Sequence, residues 1–117
     1  MDTATHKDLV AWQEAMTLVE VVYRETADFP QREMFCLTAQ IRRAAVSIPS
    51  NLAEGAARNS SKELLHFAGI TCGSVAELET QLELAVRLGY LQPTSESVKQ
   101  MNLVGRLITS LRKSLKH

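Results

Sequence analysis

The stretch Ile41–Gly55, IRRAAVSIPSNLAEG, decides how this chain is read. Its apolar residues fall at helical spacing, yet Pro49, Ser50 and Asn51 stand in its middle, and proline normally breaks a helix. Followed in both directions, the rhythm is Leu37, Ile41, Ala44, Ile48, Leu52 and Gly55, and it passes Pro49 without losing phase. Two helices meeting at Pro49 would have no reason to share one phase. An interior proline removes one hydrogen bond and presses on the carbonyl four residues back. That carbonyl belongs to Ala45, among the small side chains Ala44, Ala45 and Ser47, where a bend is easily absorbed. The segment is therefore predicted to be one helix from about Arg32 to Arg58, kinked at Pro49, with Ser or Asn side chains bonding the freed backbone. Ser47, Asn51 and Glu54 fall on one polar face, where Asn51 and Glu54 are expected to organise the bundle or an assembly. Glu54 and Arg58 make an i, i+4 pair in the favourable order.

Working outward, the preceding segment carries Leu9, Trp12, Met16, Val19, Tyr23 and Thr26, a heptad-like seam. Thr5 and Asp8 resemble a capping box at its start, and Phe29-Pro30 should mark its end. Downstream, Ser60 and Glu63 form a capping box before the seam Leu64, Phe67, Thr71, Val75, Leu78, Leu82 and Ala85. That helix should stop at Gly89, a C-cap glycine, after roughly 40 Å at ~1.5 Å per residue. Thr94 or Ser95 is expected to cap a last helix with the seam Met101, Val104, Ile108, Leu111 and Leu115, and with a second ridge at Leu103 and Leu107. Four long helices with short connections predict an all-α, antiparallel up-down-up-down four-helix bundle, a single domain over residues 1–117.

Composition agrees. Only 5% of the 117 residues are aromatic, so the core must be aliphatic, which suits helix-on-helix packing better than a β-sandwich. No apolar run is long enough to span a bilayer and no signal-like segment opens the chain, so the expected location is cytoplasmic, with no membrane partner. Cys36 and Cys72 lie far apart inside apolar patterns and are expected as buried free thiols. Net charge is zero but uneven: residues 1–30 hold six acids against Lys7 and Arg24, and residues 92–117 hold Lys99, Arg106, Arg112, Lys113 and Lys116 against Glu96. Either the first and last helices attract each other, or the basic end forms a stripe for nucleic acid.

No catalytic constellation is present. His6, His66 and His117 lack a ligand-spaced partner, and Glu79 and Glu83 lack the Glu-x-x-His of di-metal bundles. Ser47, Ser50 and Ser74 have no nucleophile elbow around them, and no phosphate loop occurs. The expectation is a protein that is not an enzyme and carries no cofactor or metal. Gly69 and Gly73, four residues apart beside Ala68, Cys72 and Ala76, cost helix stability, so a close helix contact is expected there, within the bundle or to another subunit. The stretch Ala44–Ser47 is a natural partner for it. Arg42 and Arg43 point about 100° apart and suit an interface, surface salt bridges or phosphate contact.

Leu37–Arg58, LTAQIRRAAVSIPSNLAEGAAR, resembles the signature of the four-helix-bundle proteins of the 23S rRNA intervening-sequence family. Leu9, Trp12 and the run GSVAELETQLELAVRLGYL from Gly73 to Leu91 fit the same pattern, with Gly73-Ser74 and Glu77-Leu78 at the expected spacing. The resemblance implies a bundle that assembles into a ring, typically a pentamer. The family's founding members are encoded inside insertions in bacterial 23S rRNA genes, which suggests an RNA-related role. A related branch, the accessory proteins of diversity-generating retroelements, forms basic pentamers that bind nucleic acid and a reverse transcriptase; this chain departs from it in being neutral. The expected function is thus an RNA- or nucleoprotein-associated scaffold, with a protein-protein adaptor as the alternative. The candidate contacts are Arg42, Arg43 and Arg58 on the second helix, and Arg106, Arg112, Lys113 and Lys116 on the fourth. Ser47, Pro49, Asn51 and Glu54, and likewise Gly69, Gly73, Ser74 and Glu77, are the candidate structural polar and close-packing positions.

Overall fold

The computed structural model describes residues 5–116, without the side chain of Asp8. Its four α-helices are α1 (Val10–Thr26), α2 (Leu37–Ala57), α3 (Ser61–Arg87) and α4 (Glu96–Leu115). Short 3₁₀ turns at His6–Asp8 and Gln31–Glu33 precede α1 and α2. The molecule measures 49 × 21 × 19 Å, so α3, roughly 40 Å long at ~1.5 Å per residue, nearly sets its length. The helices pack around a square, α1 on α2, α2 on α3, α3 on α4 and α4 on α1; among the described residues the Cα atoms of diagonal helices stay more than 8 Å apart. The last turn of α1 meets the first turn of α4, through Glu25 and Ser97. The first turn of α1 lies beside Leu107, Leu111 and Ser114 late in α4.

α2 runs without interruption through Pro49. Its side chains bond backbone carbonyls near the proline: Ser47 Oγ donates to Ala44 O (2.7 Å), Ser50 Oγ to Val46 O (2.8 Å) and Asn51 Nδ2 to Ser47 O (2.8 Å). These carbonyls flank that of Ala45, the one deprived by Pro49, rather than including it. The seam Ile41, Ala44, Ile48, Leu52 and Gly55 is buried. At Gly55 α2 and α3 approach closely: a Cβ placed there would stand 2.6 Å from the Phe67 Cβ.

Several boundaries differ from the sequence reading. α2 begins at Leu37, not Arg32, because the chain turns a corner first: Cys36 sits at φ −119°, ψ −107°, outside helical geometry. Glu33 therefore acts from the preceding 3₁₀ turn, its carboxylate accepting from Leu37 N–H at 3.4 Å and from the Tyr90 hydroxyl at 2.9 Å. α1 ends at Thr26, before Phe29-Pro30, and the buried Phe29 ring packs on Tyr90 at 5.3 Å, pinning one connection to another. Thr5 Oγ1 accepts from Lys7 N–H at 3.2 Å in the first 3₁₀ turn, and α1 starts later with no side-chain cap. Ser60 caps α3 as expected, accepting from Glu63 N–H, and Gly89 closes it at φ +83°, a conformation glycine adopts without strain.

The larger correction concerns α1. Its core face is Ala11, Ala15, Leu18, Val22 and Thr26, joined by Val21. Of the heptad-like seam only Thr26 is buried; the rest lies one step around the helix, with Met16 41% and Tyr23 45% exposed and Leu9, Trp12 and Val19 half-buried. Two adjacent stripes were apolar, and the small side chains of Ala11 and Ala15 let α1 approach its neighbours along theirs. Cys36 and Cys72 are free, as expected, but Cys36 is exposed and Cys72 half-buried.

Candidate nucleic-acid interface

α4 is amphipathic. Met101, Val104 and Ile108 are buried, and the opposite face carries Lys99, Arg106 and Lys113, all exposed. These three cations are spaced by seven residues, so they share one line along the helix, drifting only ~20° per step. None of them forms an ion pair among the described residues. The expected attraction between acidic α1 and basic α4 does not use these groups. The two helices do pack together, but the ion pair between them runs the other way, Arg24 of α1 to Glu96 of α4 at 2.5 Å. The basic charge of α4 therefore stays undischarged within the subunit.

Beside this row lies an open cleft of about 650 Å³ between α3 and α4, lined by Cys72, Ala76, Glu79, Met101 and Gly105, with Arg106 among its wall residues. Lys116, just past α4, is exposed and extends the basic end. Arg112 is turned inward. Its Nη1 donates to Cys72 Sγ at 3.5 Å, and its buried Nε has no protein partner. Lys99, absent from the candidate set, belongs to the row; its heptad spacing to Arg106 and Lys113 was the signal that could have found it.

The arginines of α2 lie elsewhere. Arg42 is committed within the subunit: Nε donates to Thr26 Oγ1 at 2.9 Å and the guanidinium covers the Tyr23 ring at 4.6 Å. Arg58 pairs with Glu54 at 3.2 Å and Glu63 at 3.8 Å and lies over the Phe67 ring. Arg43 is exposed and without an ion pair among the described residues. Because α2 and α4 are diagonal in the square, the structure does not bring the two arginine sets onto one face.

The polar and small residues resolve similarly. Ser47 and Asn51 spend their donors on their own helix, and Glu54 pairs with Arg58. Ser74 is half-buried, and the exposed Glu77 accepts from Gln81 Nε2 at 3.3 Å. Gly69 and Gly73 do not mediate a close contact inside the bundle: a Cβ at Gly69 would meet only Arg112 Nη2 at 4.0 Å, and at Gly73 nothing within 4 Å. The close glycine contact is at Gly55 instead.

Among the described residues, no three His, Cys, Asp or Glu side chains gather to hold a metal ion. His6 meets Trp12 edge-on at 5.0 Å and His66 meets Phe67 at 5.3 Å; His117 lies outside the described residues. Among the described residues, no helix is long and apolar enough to cross a membrane.

A family model described as 23S rRNA-intervening sequence protein matches residues 7–112, nearly the whole chain. The chain belongs to the 23S rRNA-intervening sequence protein family. Among solved structures, it is similar to a protein of unknown function from the S23 ribosomal protein family of Bacteroides thetaiotaomicron VPI-5482. The TM-score is 0.65 at 22% identity, over 91% of this chain and 94% of that one, so the two share a fold. No curated protein matches. Within this family member, the α4 row has no ion-pair partner among the described residues, and the apolar stripe of α1 is only partly covered, through Met16 and Tyr23.

Proposed function

We propose that this chain is a non-enzymatic, homo-oligomeric scaffold of the cytoplasm that forms a ring, typically of five copies, and associates with RNA. The observation that carries the RNA part is the row Lys99, Arg106 and Lys113, exposed and without an ion pair among the described residues, on a chain whose net charge is zero. Three unneutralised cations on one line are costly to no one in water and are available to phosphates, whose counterions they release on binding.

Self-association rests on α1. Trp12, Met16, Val19 and Tyr23 form an apolar stripe at heptad-like spacing, incompletely covered by the subunit. A ring needs heterologous contacts, in which each copy offers two different surfaces. Light scattering at micromolar concentration tests this part; a lone 13.0 kDa species would refute it. Titrating the protein into labelled RNA at rising salt tests the other, since phosphate contacts weaken steeply with salt. If neither RNA nor DNA binds at low salt, the RNA reading falls and a protein-protein adaptor, which the α1 stripe also suits, replaces it.

A further inference from the structure

We infer that the α4 row takes the sugar–phosphate backbone of a double helix, rather than a single strand, and takes it without reading sequence. This rests on the RNA-associated reading above and names the class of ligand. Seven residues of α-helix advance roughly 10 Å, so Lys99, Arg106 and Lys113 hold a straight line roughly 20 Å long. The line is rigid, because the opposite face of the same helix is buried in the core through Met101, Val104 and Ile108.

Single strands are held chiefly by stacking their bases on aromatic side chains along a basic groove. α4 contains no Phe, Tyr or Trp. Of the exposed Phe and Tyr side chains, Tyr23 stands on α1 with its ring already covered by Arg42 of α2, and Phe35 stands just before α2, diagonal to α4 in the square. The row therefore offers charge without a stacking platform. What accompanies the cations is polar: exposed Asn102 and Ser110, which suit phosphate and ribose oxygens. A flexible strand laid along a rigid line loses conformational freedom, whereas a duplex is already stiff over this length and loses little. Base edges are out of reach for a face that lies along the outside of a backbone, so contact at this row positions without specifying sequence.

The test compares short RNA and DNA duplexes of unrelated sequences with their separated strands, by fluorescence anisotropy on the full chain across a salt series. Both duplexes should bind more tightly than any single strand, with little dependence on sequence. Tighter binding of the RNA duplex would assign a ribose contact, and equal binding would assign phosphates alone; either supports the inference. Three phosphate contacts per engaged subunit give a log–log salt slope of about −2.7, roughly a 40-fold loss between about 50 and 200 mM salt. Lys99→Gln, Arg106→Gln and Lys113→Gln should each remove about one third of that slope, while Lys62→Gln, an exposed cation on α3, should leave it unchanged. The sites are exposed, and circular dichroism confirms that each variant folds. A single strand that binds as tightly as its duplex, or a triple variant that keeps the full slope, overturns the inference while leaving RNA association standing. No binding of any probe at low salt overturns the functional reading itself.

Discussion

Replacing Glu25 with alanine should destabilise the subunit by about 2–3 kcal/mol, and the reason is a cap supplied across the bundle. Ser95 precedes α4 but does not cap it; its hydroxyl accepts instead from Gln92 N–H at 3.0 Å. The carboxylate of Glu25, at the end of α1, takes that place. It accepts from Glu96 N–H at 3.2 Å and Ser97 N–H at 3.1 Å, and from the Ser97 hydroxyl. Loss of a helix cap costs about 1 kcal/mol. Ser97 is only 1% exposed, so its hydroxyl would lose a partner away from water, at a further cost of about 1–2 kcal/mol. The neighbouring Arg24–Glu96 pair is 60% exposed on both sides, so Arg24→Ala should cost under about 0.5 kcal/mol and serves as the control. Urea denaturation followed by circular dichroism, at one fixed protein concentration because assembly adds to apparent stability, measures both. In thermal melts the loss corresponds to about 8–12 °C for a chain of this size. Ser97→Ala removes the stranded hydroxyl, so it should cost less in the Glu25→Ala background than alone. A Glu25→Ala loss within about 0.5 kcal/mol, or strict additivity with Ser97→Ala, would refute the cross-bundle cap.

Other substitutions probe the packing and the assembly face. Gly55→Ala sets a Cβ 2.6 Å from that of Phe67 and should destabilise by about 1–3 kcal/mol in the same urea assay. Gly73→Ala meets nothing within 4 Å and should stabilise by about 0.5–1 kcal/mol, by removing a mid-helix glycine. Met16→Glu, at a site 41% exposed, should leave the melting curve of the subunit nearly unchanged yet shift the light-scattering mass toward 13.0 kDa. Pro49→Ala should keep the helical circular dichroism while weakening assembly; loss of helix would contradict one continuous α2.

Periodicity made most of the bundle legible. The seams of α2, α3 and α4 could be read because in each the apolar residues at helical spacing outweigh those off the seam, such as Val46, Ile70 and Leu84, and burial follows that contrast. Local chemistry placed the ends of α3, since Ser60 and Gly89 act within a turn of their own position. The α4 cations were visible too, but Lys99 joins the row only once helical register is imposed on the list of basic residues. The Glu54–Arg58 pair was legible, but the commitment of Arg42 was not, because Thr26 and Tyr23 reach it only in the folded chain.

What the amino-acid order determined by itself is therefore whatever depends on neighbours within about one helical turn: four helices, a second helix that continues through Pro49, and the caps of α3. Tertiary structure decided the choices that periodicity leaves degenerate. α1 has two apolar stripes side by side, and the one that went inside carries Ala11 and Ala15, whose small side chains permit close helix approach, while Met16 and Tyr23 were left toward solvent. It also chose the cap of α4, because a carboxylate 72 residues away was brought to Ser97 by the packing of α1 on α4. Hydrogen-bonding and charged groups find partners by distance in space, and no local rule reports that distance before the helices are packed.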